Sequence, residues 1–148
     1  MINYIGFTRN KKDIVNSKKI IHKVFKGTKN QQTLILNNPD NLNKKNIIIL
    51  EYNKKIIGTI RLVKKITINQ KIRLKVLGIS HVCILDKYRN RGFSKILMNY
   101  AIIYGKKNNY DISLLFARKA LDKYYNKFDF FGLSSFPKFS LELKKISI

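Results

Sequence analysis

The chain has 148 residues, of which 45% are hydrophobic and 26% are charged, a composition typical of one globular domain with a single core. Its longest apolar runs are far too short to cross a bilayer, so we expect no membrane insertion. The one cysteine, Cys83, excludes an internal disulfide and favours a cytoplasmic location. We therefore predict a single domain over residues 1–148.

The charge balance favours anionic ligands. Lysine and arginine number 31 against 8 acidic residues, which gives a net charge of +23. Such an excess attracts nucleic acid, anionic membranes and phosphorylated small molecules. The lysines are spread through a chain rich in Lys, Asn and Ile, a pattern also produced by compositional drift. No nucleic-acid-binding signature accompanies the charge, so nucleic acid is the less favoured partner.

The first half of the chain predicts a strand, a helix and a hairpin. The helix follows the capping candidates Thr8 and Asn10, and its apolar residues recur at helical spacing. The hairpin turns at residues 53–55, between two runs of β-branched and apolar residues. The predicted elements are a strand at 2–7, a helix at 11–25 and strands at 47–52 and 56–66.

The next run, Leu74–Leu85, is apolar on both faces, which predicts a strand in the centre of its sheet. Strict alternation places Leu77 and Cys83 on one face and Val82 and Ile84 on the other. Cys83 is interpreted as a small core residue.

The second half alternates helices and strands. A helix from Phe93 to about Lys106 precedes a short buried strand at 112–116. A second helix, with its apolar face between Ala120 and Phe128, leads to a terminal hairpin of strands at 133–136 and 139–143. The order of elements predicts a mixed α/β sandwich with helices on both faces of the sheet.

The most informative segment is the basic loop Arg89-Asn90-Arg91-Gly92-Phe93-Ser94, between the central strand and the amphipathic helix. Backbone N–H groups at a helix N-terminus favour anions, and Gly92 allows a phosphate to approach without a Cβ in the way. Arg89 and Arg91 add charge-assisted contacts. The loop therefore predicts a binding site for a phosphorylated cofactor.

These segments resemble the GNAT superfamily of acyl-CoA-dependent N-acetyltransferases. The family motif is Gln or Arg, two residues, Gly, one residue, then Gly or Ala, and Arg89 to Ser94 follows it with Ser at the last position. The second mark is an aromatic helix end, here Tyr124-Tyr125-Asn126-Lys127-Phe128-Asp129-Phe130, with Asp129 at the usual glycine position.

The resemblance implies a mostly antiparallel sheet of about seven strands and acetyl-CoA as co-substrate. It also implies that the backbone N–H of Ile84 polarises the thioester carbonyl. Arg118 stands where many members carry Asn. The residues expected to bind the cofactor are Val82, Cys83, Ile84, Arg89, Asn90, Arg91, Gly92, Phe93, Ser94 and Arg118.

The resemblance aligns Tyr125 with the general acid that protonates the leaving thiolate, a task that suits a phenol of pKa about 10. Many members carry a glutamate base where this chain has Gly78, so the base is not identified. The candidates are His81, Ser80 and Glu51, and a water relay is an alternative. Alternation places His81 on the face opposite Val82 and Ile84.

The resulting hypothesis is transfer of an acetyl group from acetyl-CoA to a primary amine. The acceptor is expected near the first helix, the 28–45 loop and the terminal hairpin, with a weak lean to an anionic small molecule such as a nucleotide-linked amino sugar. Protein or peptide amines are an alternative, as are a nucleic-acid-binding module and a CoA-binding protein without catalysis. The single cysteine and two widely spaced histidines do not form a metal-binding motif, so we expect no metal. The sequence does not decide whether the protein is a monomer or a homodimer.

Overall fold

The computed structural model describes residues 1–25, 45–69 and 72–132. They fall into two compact units, Met1–Phe116 and the segment from Ala117 onward. Most of the 28–45 loop and the whole predicted terminal hairpin lie outside the described residues. Within the described ranges, no helix has the length and apolar character that a bilayer-spanning segment needs.

The first unit contains a five-stranded sheet with helices, which confirms the mixed α/β class and the mostly antiparallel sheet. The strands lie in chain order, and only the last pair, β4 with β5, is parallel. The two further strands of the prediction fall on residues beyond 132. The strands are β1 (Ile2–Phe7), β2 (Ile47–Tyr52), β3 (Lys55–Asn69), β4 (Ile72–Ile84) and β5 (Ile112–Leu115).

Helix α1 (Lys11–Val24) begins at Asn10, one of the two predicted capping residues. The Asn10 side chain accepts a hydrogen bond from the Asp13 N–H at 3.0 Å. Asp13 is buried and also accepts from the Arg9 side chain at 2.9 Å. The Asp13 N–H of this helix end is thus bonded to the cap, and the Asp13 carboxylate adds negative charge to the first turn.

The β2–β3 hairpin closes through a two-residue turn, because Tyr52 pairs with Lys55. Asn53 and Lys54 both have positive φ, 47° and 59°, as a type I′ turn requires. Strands β3 and β4 form a long hairpin whose pairing continues to Asn69 and Ile72. Both strands are longer than predicted because regular pairing continues through the polar residues near the turn.

A β-bulge interrupts β4 at His81, which has φ 50°. Pairing shifts between Arg61 opposite Ser80 and Thr59 opposite Cys83, so that β4 carries one extra residue here. The predicted strict alternation along β4 is therefore wrong. Leu77 packs under α2 (Phe93–Lys107), whereas Cys83 packs under α1, so the two do not share a face.

The core lies on both faces of the sheet. Under α1, Cys83 packs with Ile20, Ile21, Ile47 and Ile49. On the other face, α2 buries Leu97, Met98 and Ala101. Gly58 allows close approach there, since a Cβ would lie 3.0 Å from the Leu97 Cδ1 atom and would collide with the Ile84 side chain. These two layers fix the end of β4 and the start of α2.

The second unit departs from the prediction of one continuous helix after residue 120. The chain makes a 3₁₀ turn at Lys119–Leu121, a single α-helical turn, α3 (Asp122–Tyr125), and a second 3₁₀ turn at Asn126–Phe128. Asp129 ends the series with φ 61°, the left-handed conformation that glycine adopts most easily. This left-handed conformation explains why the family motif carries glycine at the position of Asp129.

Candidate active site

The basic loop lies where the sequence predicted it, between the end of β4 and the start of α2. A 3₁₀ turn at Asp86–Tyr88 follows β4, and two left-handed residues then turn the chain into the helix, Asn90 at φ 59° and Gly92 at φ 77°. A Cβ on Gly92 would meet no heavy atom within 4 Å. The space in front of Gly92 is therefore open to a ligand.

The N-terminus of α2 has no internal cap. No side chain accepts from its first turn, and the first turn contains no acidic residue. The Ile96 N–H makes the first intrahelical bond, to the Gly92 carbonyl at 3.2 Å. The N–H groups of Phe93, Ser94 and Lys95 therefore have no acceptor within the helix and point toward the open side. This arrangement suits a phosphate.

The charged side chains of the loop are exposed. Arg89 pairs with Asp86 at 2.9 Å, and its Nε donates to the Ile84 carbonyl at 3.3 Å. Arg91 lies over the rings of Tyr52 and Phe93, 5.4 and 5.5 Å from their centroids. Both guanidinium groups remain accessible beside the helix end, where they add positive charge to the backbone donors.

An aromatic cluster supports the loop from below. The rings of Tyr52, Tyr88 and Phe93 lie 5.1 to 6.5 Å apart between centroids. Phe93 is buried, which anchors the first turn of α2. The supporting role of Tyr52 was missed by sequence reasoning, because this residue lies at the end of β2, far from the loop in the chain.

The outer edge of β4 is unpaired near Ile84 in the described part of the first unit. Strand β5 pairs only with Val76–Ile79. The Leu85 N–H donates to the Ile57 carbonyl at 2.9 Å, so by antiparallel alternation the Ile84 N–H faces away from β3. The Ile84 amide therefore lies on the open edge, directly before the basic loop. Val82, two residues earlier, is half-buried.

The bulge brings together two of the three base candidates. The Ser80 Oγ and His81 Nδ1 atoms lie 2.7 Å apart, although neighbouring side chains of a regular strand would point to opposite faces. The His81 ring packs edge-on against Phe25 at the end of α1. Burial, together with the charge of Arg61, lowers the pKa of His81. The imidazole is therefore neutral at physiological pH and able to accept a proton.

The third base candidate is engaged elsewhere. The Glu51 carboxylate accepts from Arg9 Nη2 at 2.7 Å, and Arg9 also pairs with Asp13. Cys83 is buried, and its Sγ–H donates to the His81 carbonyl at 3.2 Å. Burial raises the pKa of Cys83 to about 12, so the thiol stays protonated and serves the core.

Tyr125 and Arg118 both belong to the second unit. Tyr125 ends α3, is half-buried and packs against Tyr124 at 5.0 Å between ring centroids. Arg118 is exposed and precedes the first 3₁₀ turn. Among the described residues, no group of three or more His, Cys, Asp or Glu side chains is arranged to hold a metal ion.

Comparison with known proteins identifies the family. The model of the acetyltransferase (GNAT) domain matches residues 8–133. The match covers most of the chain, and the protein belongs to the GNAT acetyltransferase family. No curated protein sequence matches the chain.

Solved structures agree on the fold. Glucosamine-6-phosphate N-acetyltransferase from Arabidopsis thaliana is 12% identical with a TM-score of 0.64, and the match covers 93% of this chain and 99% of that one. The aminoglycoside N-acetyltransferase AAC(6')-Iy, solved with CoA, is 13% identical with a TM-score of 0.64 and coverages of 90% and 92%.

A third match has a much longer chain. Eis1 from Mycobacterium abscessus is 15% identical with a TM-score of 0.68, and 84% of this chain corresponds to 30% of its length. At these identities the three structures establish the fold alone.

Proposed function

We propose that the protein transfers an acetyl group from acetyl-CoA to a primary amine by direct attack on the thioester. The observation that carries the proposal is the uncapped N-terminus of α2, where the space in front of Gly92 is open and the exposed Arg89 and Arg91 belong to the same loop. A pyrophosphate carries the charge and acceptor oxygens that this site lacks. Membership of the GNAT family and a structural neighbour solved with CoA support acetyl-CoA as the donor.

The attacked carbonyl would be polarised at the open edge of β4. The Ile84 N–H faces away from β3 and has no strand partner among the described residues of the first unit. A fixed backbone donor of this kind stabilises the oxyanion that forms when the amine attacks the thioester carbon. Because the donor is backbone, we expect substitutions of the Ile84 side chain to act only through packing.

We propose His81 as the base. Its lowered pKa leaves the ring neutral, and the Ser80 hydroxyl fixes the ring orientation through Nδ1. In the tautomer with the proton on Nδ1, the Nε2 lone pair can take the proton that the acceptor ammonium loses, and the neutral amine so formed attacks the thioester carbon. Glu51 is less suited to this role because Arg9 holds its carboxylate.

Tyr125 is the proposed general acid that protonates the departing CoA thiolate, on the strength of its place in the family motif. The phenol and the thiolate have comparable basicity, so the proton transfer is close to balanced. The net charge of +23 favours an acceptor amine that carries anionic groups.

The proposal is tested by release of free CoA thiol from acetyl-CoA with a panel of amines. We expect Tyr125→Phe to lower kcat about 100-fold without changing the affinity for CoA, because only the proton donor is removed. Tyr124→Phe is the matched control, since the buried Tyr124 hydroxyl has no hydrogen-bond partner among the described residues.

Two results would reject the assignment. Equal losses in the two tyrosine variants would remove Tyr125 from the chemistry. Absence of thiol release with every amine, in a protein that binds CoA, would leave a CoA-binding protein without catalysis.

A further inference from the structure

A second basic site lies apart from the loop, in a groove of about 540 Å³ between α1 and the β2–β3 turn. Its volume is in the range of small-molecule sites. None of the residues from Asp86 to Ser94 lines it. Its charged lining residues are Arg9, Lys12, Asp13, Lys19, Lys23, Glu51, Lys54 and Lys55.

The lysines of the groove form two facing walls. Lys12, Lys19 and Lys23 stand at helical spacing along one flank of α1. On the other side of the groove, Lys54 lies in the hairpin turn and Lys55 is the first residue of β3. Cations on two separate elements can contact one ligand from both sides, which lysines scattered over a convex surface cannot do.

The carboxylates of the groove do not neutralise these lysines. Asp13 and Glu51 are both bound by Arg9, at 2.9 and 2.7 Å. None of the five lysines is within ion-pair distance of an acidic side chain in residues 1–25, 45–69 and 72–132. The five ammonium groups therefore leave the groove with an excess of positive charge, which an anion bound between its walls would offset.

We propose that this groove binds a phosphorylated small molecule. A phosphate places up to two negative charges on one compact group, and lysine ammonium groups bind it as point charges without a fixed geometry. The amide side chains of Asn10 and Asn16 also line the groove and supply neutral hydrogen-bonding groups. The groove reaches Leu85 but shares no residue with the loop Arg89–Ser94, and its use as an acceptor site rests on the proposed function.

The groove is tested by calorimetric titration of inorganic pyrophosphate into the protein with CoA at saturation, so that the α2 loop is already filled. We expect binding to the wild type and at least tenfold weaker binding to the triple variant Lys12→Ala, Lys19→Ala, Lys55→Ala. All three side chains are exposed; alanine favours the helix at positions 12 and 19, and Lys55 lies at the first position of β3 beside the turn, so we expect the fold to be retained.

The matched control is the triple variant Lys11→Ala, Lys65→Ala, Lys106→Ala. These lysines are also exposed and lie outside the groove, and their substitution removes the same total charge. We expect their loss to weaken pyrophosphate binding less than twofold. Equal weakening in the two triple variants would show that pyrophosphate follows net charge, and absence of binding at CoA saturation would also overturn the proposal.

The source of the phosphate is resolved in a second arm, by thiol release from acetyl-CoA with glucosamine 6-phosphate and with glucosamine. A preference for the phosphorylated amine that the groove variant abolishes identifies the ligand as the acceptor. Groove-dependent pyrophosphate binding without that preference identifies a ligand that is not consumed. Failure to bind CoA at all would reject the proposed function, and pyrophosphate is then titrated without CoA.

Discussion

The two long helices in the part of the chain that the structure describes begin in opposite ways. At α1, Asn10 caps the helix, and the buried Asp13 binds Arg9 in the same turn. At α2, Gly92 provides no side chain, no acid lies in the first turn, and Arg91 is exposed beside it. Both ends have the same partial positive charge. At α1 this charge is balanced by groups of the protein itself, whereas at α2 it is left available to a ligand. The start of α1 therefore contributes to stability, and the start of α2 contributes to binding.

The largest expected effect follows from closing the open helix end. In Gly92→Val a β-branched residue would occupy φ 77°, and its side chain would fill the space where a phosphate approaches. We expect the Kd for CoA to rise about 50-fold, equivalent to about 2.3 kcal/mol, as measured by calorimetry. Asn109→Gly, at a left-handed residue just beyond the C-terminus of α2 and outside the loop, is the control and should bind CoA normally. Unchanged CoA affinity in Gly92→Val would place the pyrophosphate elsewhere.

The next effect concerns stability and the opposite helix. Asp13→Asn removes the charge that Arg9 and the helix N-terminus stabilise, and we expect a loss of about 2 kcal/mol in the free energy of unfolding, or about 6 °C in Tm. CoA affinity should not change. Asp86→Asn is the control, because its ion pair with Arg89 is exposed and contributes less than about 0.5 kcal/mol.

The same substitution predicts a pH dependence. The hydrogen bonds from Arg9 hold the pKa of Asp13 below its usual value of 3.8. Because the folded pKa is the lower one, the stabilisation is complete above pH 3.8 and is lost as the pH falls through the folded pKa. The difference in unfolding free energy between wild type and Asp13→Asn should therefore narrow only below pH 3.8. A constant difference down to the acid transition would contradict the assigned ion pair.

The smallest effect makes the second helix end resemble the first. Ser94→Asp places an acid in the first turn of α2, which should stabilise the fold by about 0.5 kcal/mol and repel the pyrophosphate. We expect CoA to bind about fivefold more weakly while Tm rises slightly, with Ser94→Asn as the neutral control. Parallel changes in stability and affinity would show that the two helix ends do not differ in function.

The contrast between the helix ends could be predicted largely from the sequence, because its signals are local. Asn10 before an amphipathic run predicts a cap, and Gly92 between an apolar strand and a helix predicts an open end. The order of the apolar segments predicted the mixed α/β sheet, because apolar residues recur every three to four positions in a helix and every two positions in a strand.

Features that depend on distant residues could not be predicted. The bulge at His81 requires a positive φ, which is uncommon in residues other than glycine, and the alternation pattern contains no sign of it. The pairing of Arg9 with Glu51 joins residues 42 apart, and Tyr52 reaches the loop only through the sheet. The lysine groove depends on how α1 lies against the β2–β3 turn, which periodicity does not specify.

The buried Cys83 has a practical consequence for the assay that detects the CoA thiol. It is the only thiol in the chain, it is buried, and its pKa of about 12 leaves almost no thiolate at neutral pH. A thiol-reactive dye added to the folded protein should therefore report the CoA released by turnover with no background from the enzyme. When the chain unfolds, the same sulfur becomes accessible to the dye. The rate at which Cys83 is labelled therefore measures how often the core opens.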